Sequence, residues 1–128
     1  MELTTGLTAT AVTTVTQENT AAAVGSGSVA VFATPMMIAL MEKAAAGCIV
    51  PALQPGQTSV GTQIQTTHSA ATPVGKTVTA TATVTLVDRR KVVFDVSAHD
   101  GAQEIGKGTH TRFIVEEEAF MAKAQGNA

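Results

Sequence analysis

The segment VFATPMMIALMEKAA (residues 31–45) constrains the fold of this chain more than any other stretch, because every residue from Met36 to Met41 is apolar. A helix that is apolar on nearly every side has no face to turn to water, so other elements must wrap it. Thr34 stands before Pro35 and reads as an N-cap followed by proline at the first helical position. The helix then runs from about Pro35 to Cys48, ended by Pro51 and the turn Gln54-Pro55-Gly56. Glu42 sits in this run with no opposite charge three or four residues away; Ile38, Ala39, Ala45 and Ala46 hold those places. A buried carboxylate must be paired or must change its pKa, so its partner comes from elsewhere in the chain or from another subunit.

The rest of the chain supplies the wrapping. Residues 4–16, rich in threonine and valine, read as a first strand. The loop Gly25-Ser26-Gly27-Ser28 is a flexible connector or a lid. After the helix, TSVGTQIQTTHSAA places Val60, Ile64 and His68 at the same parity, facing one side. In KTVTATATVTLVD the alternation puts Val78, Ala80, Ala82, Val84 and Leu86 on one face and threonines on the other. The charged turn Asp88-Arg89-Arg90-Lys91 leads to Val92, Phe94, Val96 and Ala98, then to the hairpin signal Asp100-Gly101. A last strand from about Gln103 to Val115 ends in the short amphipathic helix EEEAFMAKAQ. One apolar helix beside antiparallel strands is covered only if the sheet curls around it. That order is how an α+β domain of the hot-dog fold reads in sequence, with residues 1–128 as a single domain. The apolar mass is mostly small side chains, with four Phe and no Trp or Tyr. A core packed so thinly gains from burying more surface against a second copy, so a homodimer is expected.

Several function classes are disfavoured. A net charge of −2 gives no electrostatic footprint for nucleic acid. One cysteine, Cys48, permits no internal disulfide and suits the reducing cytoplasm. The first residues have neither the basic nor the apolar region of a secretory signal, and no apolar run approaches the roughly 18 residues of a membrane span. Three scattered His and one Cys lack metal-ligand spacing. Gly101 to Lys107 nearly spells a P-loop, but Gly108 stands where Ser or Thr must ligate magnesium, and a hairpin is the wrong context.

Three residues carry candidate chemistry. Thr34 is explained by helix capping, yet its hydroxyl would lie where the first free backbone N–H groups converge. Glu42 is explained as a carboxylate escaping the core beside Lys43, and His68 as a satisfied inward histidine. Together they offer a hydroxyl, a carboxylate and an imidazole, the parts of a nucleophile, base and orienter set, with the imidazole in the right range for general base work. Met36, Met37 and Met41 are deformable fillers for a small pocket. His99, His110 and Arg112 have no explanation from periodicity alone.

VFATPMMIALMEKAA, PGQTSVGTQIQTTHSAATPVGKTVTATA and VSAHDGAQEIGKGTHTR together resemble the fluoroacetyl-CoA thioesterase branch of the hot-dog thioesterases, from about Val31 to Arg112. The resemblance implies a dimeric enzyme that hydrolyses short acyl-CoA thioesters to a carboxylic acid and free CoA without metal or cofactor, CoA being part of the substrate. It implies catalytic roles for Thr34, Glu42 and His68. It also implies that the Gly61 backbone helps hold the thioester carbonyl, and that Arg112 is a substrate-binding residue. Upstream of the helix the short, non-aromatic GSGSVAVFA replaces a longer stretch whose bulky residues help form a lid, so the resemblance leaves selectivity for a fluorinated acyl group open. Two other readings of the same cleft are a non-hydrolytic acyl-CoA-binding module and an enoyl-CoA hydratase or dehydratase.

Overall fold

The computed structural model describes residues 2–126. Five strands form one antiparallel sheet in the order β1-β3-β4-β5-β2: β1 is Thr8–Thr14, β2 Gln57–His68, β3 Thr77–Asp88, β4 Lys91–His99 and β5 Glu104–Glu116. Helix α2, Thr34–Ile49, lies in the curve of the sheet; the short helices α1, Ala21–Val24, and α3, Glu117–Ala124, are peripheral. This is the hot-dog arrangement. Met37, Leu40, Met41, Ala44, Ala45, Cys48 and Ile49 of α2 are buried against Val78, Ala80, Ala82 and Val84 of β3 and Val92, Phe94, Val96 and Ala98 of β4. The alanines at the centre of β3 leave room for the helix to approach closely. Burying each large side chain contributes about 1.5–3 kcal/mol, so Met37, Met41, Ile49 and Phe94, all fully buried, anchor the core.

The helix is not covered all round. Met36, Ala39, Lys43, Gly47 and Val50 are exposed, a stripe at helical spacing, because the sheet wraps one side of α2 and leaves the other open. The continuous helical stretch Thr34–Ala52 is long and apolar enough to cross a membrane by length and composition, which corrects the expectation that no run approaches that size; here its apolar face packs into the sheet.

Parity fails at two bulges. The β2–β5 register shifts between Gly61 and Gln63, so Gly61 pairs with Arg112 and Val60 with Phe113, while Ile64 pairs with His110 and His68 with Gly106. An extra residue in one strand flips the faces on either side of it. Val60 therefore does not share a face with Ile64 and His68. A second shift between Val84 and Leu86 turns Leu86 outward, 45% exposed, and brings Val87 against the core in its place. The expected flexible loop is also more structured. Thr20 caps α1 through its hydroxyl, Gly25 ends it at φ 81°, and hydrogen bonds from Ala21 to Val31 and from Phe32 to Thr72 pin its base.

Candidate active site

Thr34 is the first residue of α2 and the N-cap is Ala33, whose extended backbone (φ −74°, ψ 139°) opens the helix without a side-chain cap. The cap expected at Thr34 is thus one residue earlier, and the threonine hydroxyl is free for something else. It lies 2.7 Å from Nδ1 of His68, at the end of β2. The expected cluster of free N–H groups is not formed there, because Pro35 has none and Met36 and Met37 both donate to the Ala33 carbonyl. Burial of His68 lowers its pKa, with a backbone contact at Ala70 opposing, so the imidazole is neutral near pH 7 and able to accept a proton. Its other nitrogen, Nε2, is buried and has no hydrogen-bond partner among the described residues. A cleft of about 270 Å³ opens beside the pair, lined by Ala21, Ser26, Val31, Ala70 and Ala71. These residues together with Phe32, not the methionines, shape the space: Met37 and Met41 are wholly inside the core and Met36 is on the exposed stripe.

Glu42 belongs to a second cluster. Its side chain is 41% exposed, and Oε2 lies 3.8 Å from Nη1 of Arg112, which is the partner the sequence left unnamed. Arg112 is buried on the inward face of β5. Its Nε donates to Oγ of Ser59 at 2.9 Å, Nη2 to the Ser59 carbonyl at 2.9 Å, and Nη1 to Nε2 of His110 at 3.2 Å. Nδ1 of His110 donates to the Gln63 carbonyl at 2.8 Å. Desolvation lowers the pKa of both His110 and Arg112, reinforced at His110 by the adjacent guanidinium; Glu42 opposes the shift in each. Gly61 faces this cluster, and a Cβ there would lie 2.7 Å from Oε2 of Glu42 and 3.0 Å from Cε1 of His110.

The structure therefore brings Thr34 to His68, and Glu42 to Gly61 and Arg112, but keeps the two groups apart. Thr34 and Glu42 are separated by eight residues, about 12 Å along the helix axis. His68 and Gly61 are seven positions apart on β2, roughly 20 Å of strand. Glu42 has no contact with His68 in the chain. Sequence reading missed Ser59 and left His110 unexplained. The signal was the parity of GKGTHTR, since Gly106, Gly108, His110 and Arg112 alternate with Lys107, Thr109 and Thr111. Polar groups on the inward side of a sheet must be paired.

A family model described as fluoroacetyl-CoA-specific thioesterase (FlK) matches residues 15–118. A fluoroacetyl-CoA thioesterase from Streptantibioticus cattleyicolor is 50% identical over 95 residues, 74% of this chain and 68% of that protein. The solved structure of the fluoroacetyl-CoA thioesterase FlK superimposes with a TM-score of 0.93 at 39% identity, over 100% of this chain and 99% of that one. A phenylalanine-to-alanine mutant of FlK solved with fluoroacetate and CoA gives a TM-score of 0.87 at 40% identity, over 92% of this chain and 99% of that one.

Proposed function

Since the chain belongs to the fluoroacetyl-CoA-specific thioesterase family, we propose that it hydrolyses short-chain acyl-CoA thioesters to a carboxylic acid and free CoA, as a homodimer whose two copies complete each active site. The observation that carries this is the 2.7 Å contact between the Thr34 hydroxyl and a half-buried, neutral His68. His68 accepts a proton at Nδ1 from Thr34, or from a water that Thr34 holds, as oxygen attacks the thioester carbonyl. The tetrahedral adduct collapses with loss of the CoA thiolate, which takes the proton back from His68; where Thr34 itself is the nucleophile, a water deprotonated by His68 then attacks the Thr34 ester, releasing the carboxylic acid and returning the proton to the threonine oxygen. A short acyl chain suits the small, uncharged cleft beside the pair. No step in this scheme calls on a metal or cofactor.

A base that receives a proton at Nδ1 carries one at Nε2, and that buried N–H needs an acceptor. Among the described residues Nε2 has no hydrogen-bond partner, and Glu42, half-exposed and 3.8 Å from Arg112, lies far along β2. A second copy resolves both. β2 is an edge strand of 12 residues with no proline, lysine or acidic side chain to block pairing. Antiparallel pairing of two β2 strands about an axis beside Ile64 and Gln65 sets Gly61 of one copy opposite His68 of the other. Glu42, which lies against Gly61, then reaches the His68 of the second copy. In that complex Glu42 orients the imidazole, and Gly61 and Arg112 face the substrate carbonyl. The buried, free Cys48 is in keeping with a cytoplasmic location.

The test is free-thiol release from acetyl- through hexanoyl-CoA, with fluoroacetyl-CoA included. The native chain should release thiol, and His68→Ala should lose about 10²-fold or more, the usual worth of a general base. Equal release by the variant removes His68 from the mechanism, and saturable binding with no release makes the protein a binding module.

A further inference from the structure

We infer that His110 is a positioning residue, which fixes the Arg112 guanidinium so that its unused N–H groups face the space between Glu42 and Gly61. This rests on the thioesterase reading above but concerns a residue to which that reading gives no role. His110 is 2% exposed and is held between two partners that each bond in only one direction. The Gln63 carbonyl can only accept, so Nδ1 carries the hydrogen. The Arg112 guanidinium can only donate, so Nε2 offers its lone pair. Both contacts demand the same neutral tautomer. The ring also stacks on Phe94, with centroids 6.2 Å apart at 28°, which fixes its plane.

The consequence lies at Arg112. Of its five N–H groups, one goes to Ser59 Oγ, one to the Ser59 carbonyl and one to His110. One hydrogen each on Nη1 and Nη2 remains. Glu42 is 3.8 Å from Nη1, near enough for charge attraction and too far for a hydrogen bond. Left to itself, an arginine beside a carboxylate closes into a bidentate pair, which would consume both the donors and Glu42. Three bonds, one on each guanidinium nitrogen, hold it back from that closure. His110 supplies the one that acts on Nη1, the nitrogen facing Glu42. A histidine serves here because the site needs an acceptor on a rigid ring, buried and without charge of its own.

His110→Phe keeps the ring and its stacking and removes the acceptor; His110→Gln restores an acceptor on a flexible chain. With Arg112 as a binding residue, His110→Phe should raise KM for acetyl-CoA about tenfold or more with kcat within about threefold, and His110→Gln should recover most of the loss. In an Arg112→Lys background His110→Phe should add little, because residues acting as a unit are not additive. Full additivity, or a fall in kcat at constant KM, overturns the inference. So does a native KM in a folded His110→Phe protein. A wild-type protein that releases no thiol instead refutes the thioesterase reading. Acetyl-CoA is then stable, and its Kd measured by calorimetry replaces KM, with the same ordering expected and the same additivity overturning it.

Discussion

Adding one methyl group at Gly61 is the sharpest perturbation of the second cluster. The backbone there does not need glycine, since Gly61 has no positive φ. What excludes a side chain is space. An ideal Cβ would lie 2.7 Å from Glu42 Oε2, 3.0 Å from His110 Cε1 and 3.3 Å from Arg112 Nη1, where ordinary contact begins at 3.4 Å. The neighbours must therefore give way by about 0.7, 0.4 and 0.1 Å, differences taken from those same distances. The His110 ring cannot yield without losing its 2.8 Å bond to Gln63. The Glu42 carboxylate can, being the half-exposed end of a flexible side chain. Gly61→Ala should then cost about 1 kcal/mol in overpacking, a fall of roughly 3–5 °C in Tm. Displacing a reacting group by up to 1 Å costs about 10²-fold in rate, so kcat/KM should fall far more than folding does. Thiol release and thermal melting on the same preparation read both quantities. A variant with kcat/KM within about twofold of native, despite the lowered Tm, would show that the position of Glu42 does not matter.

Other outcomes follow from the same geometry. Because Ala33 and not Thr34 caps α2, Thr34→Ala should cost well under the ~1 kcal/mol of a lost cap while abolishing most turnover; a large loss of Tm would return the hydroxyl to a structural role. Gly108→Ala should destabilise by about 3 kcal/mol or more, since its Cβ would run into the Gln65 carbonyl and approach Thr66 Cα to 2.7 Å, both backbone atoms that cannot swing aside; a Tm near native contradicts this. Burial holds the pKa of His68 and His110 below the ordinary 6.5. The folded state therefore binds fewer protons than the unfolded one, and its stability is complete above 6.5 and lost as pH falls below it. Tm should be flat from about pH 8 to 7 and drop toward pH 5, and a Tm that rises on acidification refutes the sign.

The sequence showed the fold through periods that physics enforces. An apolar helix and alternating strands leave few ways to bury both, and the faces of β4 were legible residue by residue because β4 is regular from Val92 to Ala98. Val60 and Leu86 were misplaced because a bulge adds one residue and flips parity; in SVGTQ the lone Gly61 within the strand is the signal that went unused, and nothing in TVTLV marks the second bulge. At the site, Thr34, Glu42 and His68 stood out as polar groups on apolar elements, but their separation could not be read from a string. It required the length of the helix and the register of β2 against β5. His110 was noticed but not explained, because its bonds run to Arg112 and to a backbone carbonyl three residues past Val60, across a bulge.

The central claim is that one copy supplies Thr34 and His68 while the other supplies Glu42, and mixing two inactive variants tests it directly. His68→Ala and Glu42→Gln each spoil both sites of their own homodimer. In a heterodimer of the two, one site receives His68 from the Glu42→Gln chain and Glu42 from the His68→Ala chain, and is intact. Unfolding and refolding an equal mixture makes about half of the dimers mixed, each with one working site of two, so about a quarter of native thiol release should return. Recovery near that level, absent when either variant is refolded alone, is the predicted result. An equal mixture that forms mixed dimers and stays inactive would place all three residues in a site within one chain and contradict the account.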